Sequence, residues 1–393
     1  MATLYDILGV DSKTDEAELR KAYRKLARRF HPDINPDPKS HERMARINEA
    51  FETLVDEVRR MEYDASIGVR IVTEETVSEP DDLQPITVAM KQRLKAHRTP
   101  VYSLSFAPES GTLVSSSFDN EIFWWDPLGS EPTRKHRLEG GSVSTIRCIS
   151  DEDVVAVGSS ENNVSYWRLR GDRSSSWRST NGEWVTCLAI STDGNAIATG
   201  SVNHILSVAE AKGGKIRFSR SDHHDSVTSI GWSNDGHYIA TGSADATVKL
   251  WYATNGALLK TFQGVRSTVT ALAFSPDQRY LAVAAVDLSL RVFNMASGEL
   301  HKVMFGHTRP IETLAFHPNG WLLASGSRDG SVRLWNATRG IGQLQMPISG
   351  LPVSSVAFSN DGEYLASGGL DRTVRIWSIT VNKKEEAYET AAA

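Results

Sequence analysis

The chain has 393 residues, 40% of them apolar and 23% charged, a globular composition that excludes a disordered or collagen-like polypeptide. Its formal charge of -5, from 43 Lys and Arg against 48 Asp and Glu, leaves no overall basic footprint for nucleic acid, so only a local stripe could serve that purpose. Cys148 and Cys187 are the only cysteines, too few for a disulfide framework or a four-ligand zinc site, and they fit a reducing compartment.

The opening Met1-Ala2-Thr3-Leu4-Tyr5-Asp6 has neither a basic leader nor a long apolar core, and no stretch reaches the roughly 18 apolar residues of a membrane span. A soluble cytoplasmic protein without membrane contact is expected. The first 65 residues are rich in Glu, Arg and Ala and have a helical period. Leu19, Ala22, Tyr23, Leu26, Ala27 and Phe30 recur at three- and four-residue steps, opposite a charged face of Glu18, Arg20, Lys21, Arg24, Lys25, Arg28 and Arg29. Asp15 and Glu16 suit the start of this helix, and it must stop near Phe30 because His31 precedes Pro32. After a loop containing Asn35, Pro36, Asp37 and Pro38, a second helix is predicted from about Ser40 to Asp56, with Met44, Ile47, Ala50, Phe51 and Leu54 on one face.

Four elements in this order, Tyr5-Asp6-Ile7-Leu8-Gly9-Val10, Ala22-Tyr23-Arg24-Lys25-Leu26-Ala27, His31-Pro32-Asp33 and Tyr63-Asp64, resemble a J-domain over residues 1–68. The resemblance implies a cochaperone that binds the ATP state of a DnaK-type, seventy-kilodalton heat-shock chaperone and triggers its ATP hydrolysis. His31, Pro32 and Asp33 would carry the stimulation, and Arg20, Tyr23, Arg24, Lys25 and Asn35 would dock the chaperone, the basic side chains steering it by charge. Ile34 departs from the basic residue common after the tripeptide. A nucleic-acid reading of the basic helix is disfavoured by Asp15, Glu16 and Glu18, which offset its charge.

Residues 69–86 hold Glu74, Glu75, Glu79, Asp81 and Asp82 with Pro80 and Pro85, and read as an acidic flexible linker. From there a repeat dominates. Trp125, Trp167, Ala209, Trp251, Phe293, Trp335 and Trp377 stand on a ladder with a step of 42 residues. A second ladder lies six residues earlier: Asp119, Glu161, Asn203, Asp245, Asp287, Asp329 and Asp371. Each unit reads as four short strands joined by turns, as in Val227 to Phe262, and such a sheet must stack against copies of itself. Closing the stack radially hides most edges, so seven units predict a propeller.

These units resemble the WD-repeat family over residues 89–380, which implies a His, a strand Ser or Thr, the turn Asp and the Trp hydrogen-bonded inside a blade. The matching residues are His97, Ser115, Asp119 and Trp125, then His223, Thr241, Asp245 and Trp251, then His307, Ser325, Asp329 and Trp335. They are structural residues. The other blades have Glu139, Asn181, Val265 and Ser349 at the His position, and the third also lacks its Trp, so distortion is expected there.

The seventh unit lacks a fourth strand after Trp377, whereas residues 87–94 stand where a fourth strand would, so they are expected to close the ring over residues 87–381. Residues 382–393 read as a disordered tail. In the resembling family the residue before the turn Asp looks out from one face; here Phe118, Val202, Val286 and Leu370 make it apolar, with Arg328 among them, a candidate partner face or else local turn packing.

Enzymatic signals are weak. His223, His224 and His237 do not converge with a third metal ligand, and neither a nucleophile motif nor a phosphate-cradling loop stands out. The expectation is therefore a multidomain protein that is not an enzyme and needs no cofactor or metal: an all-α J-domain hairpin followed by an all-β seven-bladed propeller. The propeller would recruit an unidentified client or complex to the chaperone; the competing function is a scaffold whose J-domain docks without stimulating.

Overall fold

The computed structural model describes residues 3–10, 14, 16–30, 38–55, 63, 86–139, 143–160, 163–170, 173–180 and 184–381. The chain divides into two compact units, residues 1–83 and 84–393. The readings of residues 69–85 and 382–393 fall outside the described residues.

In the first unit, helices α1 (Leu4–Leu8), α2 (Glu16–Phe30) and α3 (Pro38–Val55) enclose a small core of Tyr5, Leu8, Leu19, Ile47, Ala50 and Leu54. Helix α1 goes beyond the two-helix expectation. A capping box starts it, with the Asp6 backbone N–H donating to Thr3 Oγ1 (3.1 Å) and the Thr3 N–H to Asp6 Oδ2 (2.8 Å). Gly9 then ends it in the left-handed region at φ 67°. The Leu4 N–H donates to the Tyr63 hydroxyl (2.6 Å), which ties the two ends of the motif to one another. Pro38 opens α3, at a position where proline's missing N–H is no loss.

The second unit is seven four-stranded antiparallel sheets in a ring. Blades one to six span residues 101–137, 145–180, 185–220, 227–262, 269–304 and 311–347. The seventh takes three strands from residues 353–381 and its outer strand, Ile86–Leu94, from the other end of the unit, in register from Ile86 opposite Val381 to Leu94 opposite Val374. The first strand of each blade meets the first strands of both neighbours, so these strands form the innermost layer.

Two irregularities recur. Six blades shift register near the start of the first strand, as between Val227 and Ser229, and five shift at the Trp rung of the third and fourth strands, as between Leu250 and Trp251. In the seventh blade the borrowed strand makes its shift between Met90 and Gln92, opposite Trp377 and Ile376, so it reproduces the fourth strand of the other blades. The third blade, expected to be distorted, has both shifts and a regular order, with Ala209 at its Trp rung. The departure lies in the second blade, which has neither shift, a four-residue first strand Thr145–Cys148 and longer outer strands.

Blades seat against one another through a small-to-large contact. A Cβ on Gly242 would lie 2.3 Å from Val269 Cγ1 of the next blade, and one on Gly368 2.5 Å from Val101 Cγ1, so a side chain there would push neighbouring blades apart.

Candidate functional site

In the helical unit, α2 presents Lys21 and Lys25 to solvent and turns Leu19, Leu26 and Phe30 towards the core. Tyr23, expected among the docking residues, faces α3: its ring stacks on Phe51 at 4.1 Å and its hydroxyl donates to Asn48 Oδ1 (3.1 Å). It therefore joins the two helices instead of standing free on the charged face. His31, Pro32, Asp33 and Asn35 lie outside the described residues, as do the side chains of Arg20 and Arg24. By chain order the tripeptide falls in the connection between α2 and α3.

In the propeller, three blades contain the four-residue set. His223 Nδ1 lies 3.0 Å from Asp245 Oδ2 and its Nε2 2.7 Å from Thr241 Oγ1, which also accepts the Trp251 indole N–H at 2.8 Å. His97 with Asp119, Ser115 and Trp125 repeats this at 3.2, 2.8 and 2.8 Å. His307 with Asp329, Ser325 and Trp335 repeats it at 2.7, 2.7 and 2.8 Å.

The indole can only donate, so the hydroxyl's own hydrogen is left for the imidazole Nε2, and Nδ1–H then points at the carboxylate. Burial lowers the His223 and His307 pKa, which favours the neutral ring this arrangement requires. Burial acts to raise the Asp119, Asp245 and Asp329 carboxyls, but hydrogen bonds from the His ring and the turn outweigh it and hold all three below the usual range. Each carboxylate also accepts the N–H of the residue after its His, at 2.8–3.1 Å. These groups are fully engaged in holding turns.

Sequence reasoning missed how the other blades compensate. In the fifth, His, Ser and Trp are replaced together by Val265, Val283 and Phe293, which pack in one apolar cluster and leave no indole or imidazole to satisfy. Its turn Asp287 is held instead by buried Arg291, whose Nη2 lies 2.8 Å from Oδ2; Arg375 binds Asp371 the same way at 2.5 Å in the seventh blade. In the second blade the Trp167 indole donates to the Glu139 main-chain carbonyl (3.2 Å), so the missing His is replaced by backbone.

Phe118, Val202, Val286 and Leu370 occupy equivalent positions of their blades and so share one end of the ring, each 37–45% exposed. The backbone is fixed beneath them: the Val202, Val286 and Leu370 N–H groups donate to the carbonyls of Trp184, Thr268 and Pro352 at 2.9–3.0 Å. Phe118 stacks on Tyr102 at 4.0 Å, and exposed Trp184 and Leu351 extend the apolar surface. Arg328, paired with Glu312, interrupts it in the sixth blade.

Burial pushes the Cys148 and Cys187 thiols up to about 12, which keeps them protonated and unreactive. His237 pairs with Asp235 (2.8 Å), apart from the structurally engaged His223. Among the described residues no group of three His, Cys, Asp or Glu is placed to hold a metal, and no helix is long and apolar enough to cross a membrane.

Comparison with known families matches the DnaJ domain to residues 3–64. The WD domain, G-beta repeat, matches residues 89–126, 174–208, 214–252, 256–294, 298–336 and 344–378, and thus passes over most of the irregular second blade. Similar curated proteins include Chaperone protein DnaJ 1 of Aquifex aeolicus (strain VF5), 56% identical over 64 residues that make up 16% of this chain and 18% of that protein. Chaperone protein DnaJ of Limosilactobacillus fermentum is 51% identical over 61 residues, 16% of each chain, and that of Lactobacillus johnsonii 50% over 60 residues, 15% of this chain and 16% of that one. The chain spans less than a fifth of the length of these relatives, and the likeness is confined to the N-terminal unit. The chain therefore belongs to the WD-repeat proteins and carries a J-domain fused ahead of its seven-bladed propeller.

Proposed function

We propose that this protein is a cochaperone whose J-domain stimulates ATP hydrolysis by a DnaK-type chaperone while the propeller recruits a client protein or complex. The chain itself is read as stimulatory, not enzymatic, and as acting in the cytoplasm. The observation that carries the proposal is the pairing of an intact His31-Pro32-Asp33 tripeptide with a ring that has an apolar end. Joined by a linker of about 20 residues, the J-domain would be held near anything on the ring at an effective concentration on the order of millimolar. Exposed Lys21 and Lys25, with Arg20 and Arg24, supply the positive face for docking, and that docking should weaken as salt rises.

The test is the steady-state ATPase rate of a DnaK-type chaperone with the full-length protein. Stimulation by the parent and its loss in His31→Gln support the reading; a basal rate with the parent protein refutes it and leaves the docking scaffold. For the propeller, capture of a partner should be lost in a Val286→Asp/Leu370→Asp double variant that melts like the parent.

A further inference from the structure

The inner strands enclose a cavity of about 550 Å³ that opens at the end of the ring away from Phe118 and Val286, among the loops that contain Thr192, Asn234 and Asn360. One row of side chains on these strands repeats every 42 residues. Six of its members are small, Ser105, Ala189, Gly231, Ala273, Ala315 and Ala357; the seventh is Arg147, in the short first strand of the second blade. Among the described residues lining the cavity, Arg147 is the only charged one.

Backbone around the cavity is polar in the same layer. The Ser191, Ser233 and His317 N–H groups bond back into their own sheets, to the carbonyls of Ala196, Tyr238 and Leu322 at 2.9–3.0 Å. In an antiparallel ladder the preceding residues, Ile190, Trp232 and Phe316, must then turn both N–H and C=O away from the sheet. Ser105 Oγ accepts the corresponding N–H of Cys148 at 3.0 Å. Alanine or glycine in that row has no atom with which to accept the N–H groups of Trp232, Phe274, Phe316, Phe358 and Phe106.

Arg147 uses one Nη1–H to reach the Ile190 carbonyl (3.2 Å), its one hydrogen bond among the described residues, out of five N–H donors. Asp193 acts on it through space, but the Asp193 carboxylate is taken by Ser191 Oγ (2.6 Å), the Asn195 N–H (2.9 Å) and Asn195 Nδ2 (3.0 Å). Burial lowers the Arg147 pKa, and a guanidinium still remains charged at neutral pH.

We propose that this cavity binds a small carboxylate, held by the Arg147 guanidinium and by inward-facing backbone N–H groups. A planar guanidinium matches a carboxylate through two parallel hydrogen bonds. A single cation balances a single negative charge, whereas a phosphate monoester would bring about 1.5 to 2 charges into a cavity with no second cation among its described lining residues.

The test uses the full chain and benzoate as the probe, with benzamide as its neutral counterpart. Phenylglyoxal adds to guanidinium groups, and mass mapping reads its rate at Arg147. At roughly ten times its dissociation constant, benzoate should slow that adduct about tenfold, because only a tenth of the sites remain empty. Exposed Arg279 should react at an unchanged rate, and benzamide should give no protection. Benzoate should also raise the melting temperature of the parent but not of Arg147→Gln; if that variant does not fold, protection in the parent decides alone. Equal protection by benzamide, absence of protection by benzoate, stronger protection by inorganic phosphate, or an undiminished benzoate effect in Arg147→Gln would each overturn the proposal.

Discussion

Replacing Thr241 by Val keeps the shape of the side chain and removes a buried hydroxyl that serves two partners at once, the Trp251 indole N–H (2.8 Å) and the His223 ring nitrogen (2.7 Å). Thr241 is fully buried and His223 only 3% exposed, so water cannot replace the lost partner. Each buried polar group left without a partner costs about 1–3 kcal/mol, so Thr241→Val should destabilise the propeller by about 2–6 kcal/mol. In a Trp251→Phe background one of the two orphans no longer exists, and the same substitution should then cost about 1–3 kcal/mol less. All ten tryptophans lie in the propeller, so urea unfolding followed by fluorescence reads this unit without interference from the helices. A loss below about 1 kcal/mol, or strict additivity with Trp251→Phe, would refute the view that the hydroxyl is the shared node of the set.

Asp287→Asn should cost about 3–5 kcal/mol by urea unfolding, since it leaves Arg291, 2% exposed, as an unpaired buried charge; Asp287→Leu with Arg291→Met should come close to the parent, and equal losses in the two variants would contradict this account. Deleting residues 86–94 strips the outer strand from the seventh blade, so the calorimetric transition of the whole propeller should move down; an unchanged melt would show that the strand does not clasp the ring. With a folded-state pKa below the unfolded one, His223 and His307 bind fewer protons when folded, so stability should fall as pH drops through the ordinary imidazole value of about 6.5. The depressed Asp119, Asp245 and Asp329 add a second loss as pH falls below the ordinary carboxylate value of about 4; a melting temperature that stays flat from neutral pH down to pH 5 would contradict the first part.

The ladder of rungs was readable because every blade faces the same packing problem and solves it at the same position. What single positions could not reveal was exchange between solutions. Blade three keeps both register shifts with Ala209 at its Trp rung, and no spacing rule announces that regularity. Asp287 and Arg291 stand four residues apart in the sequence, as do Asp371 and Arg375, and both pairs form. Asp329 and Arg333 have the same spacing, yet His307 and Ser331 occupy Asp329 and the Arg333 Nη2 turns to Gln345 instead. The spacing becomes a pair only where the His is missing, a condition that must be read from another strand. Helix α1 was hidden by its five-residue length, too short for periodicity, although Thr3 and Asp6 spell its cap.

The strand Ile86–Leu94 emerges from the ribosome early, and its partner Val374–Val381 roughly 300 residues later. At about 5–20 residues per second the nascent chain must carry this strand without its mate for on the order of 15–60 s. Its sequence suits the wait: Lys91 and Arg93 punctuate the apolar positions, and charges on a lone strand discourage it from adding to the wrong sheet. The same residues that finish the ring are thus placed to keep a half-synthesised molecule from recruiting its neighbours.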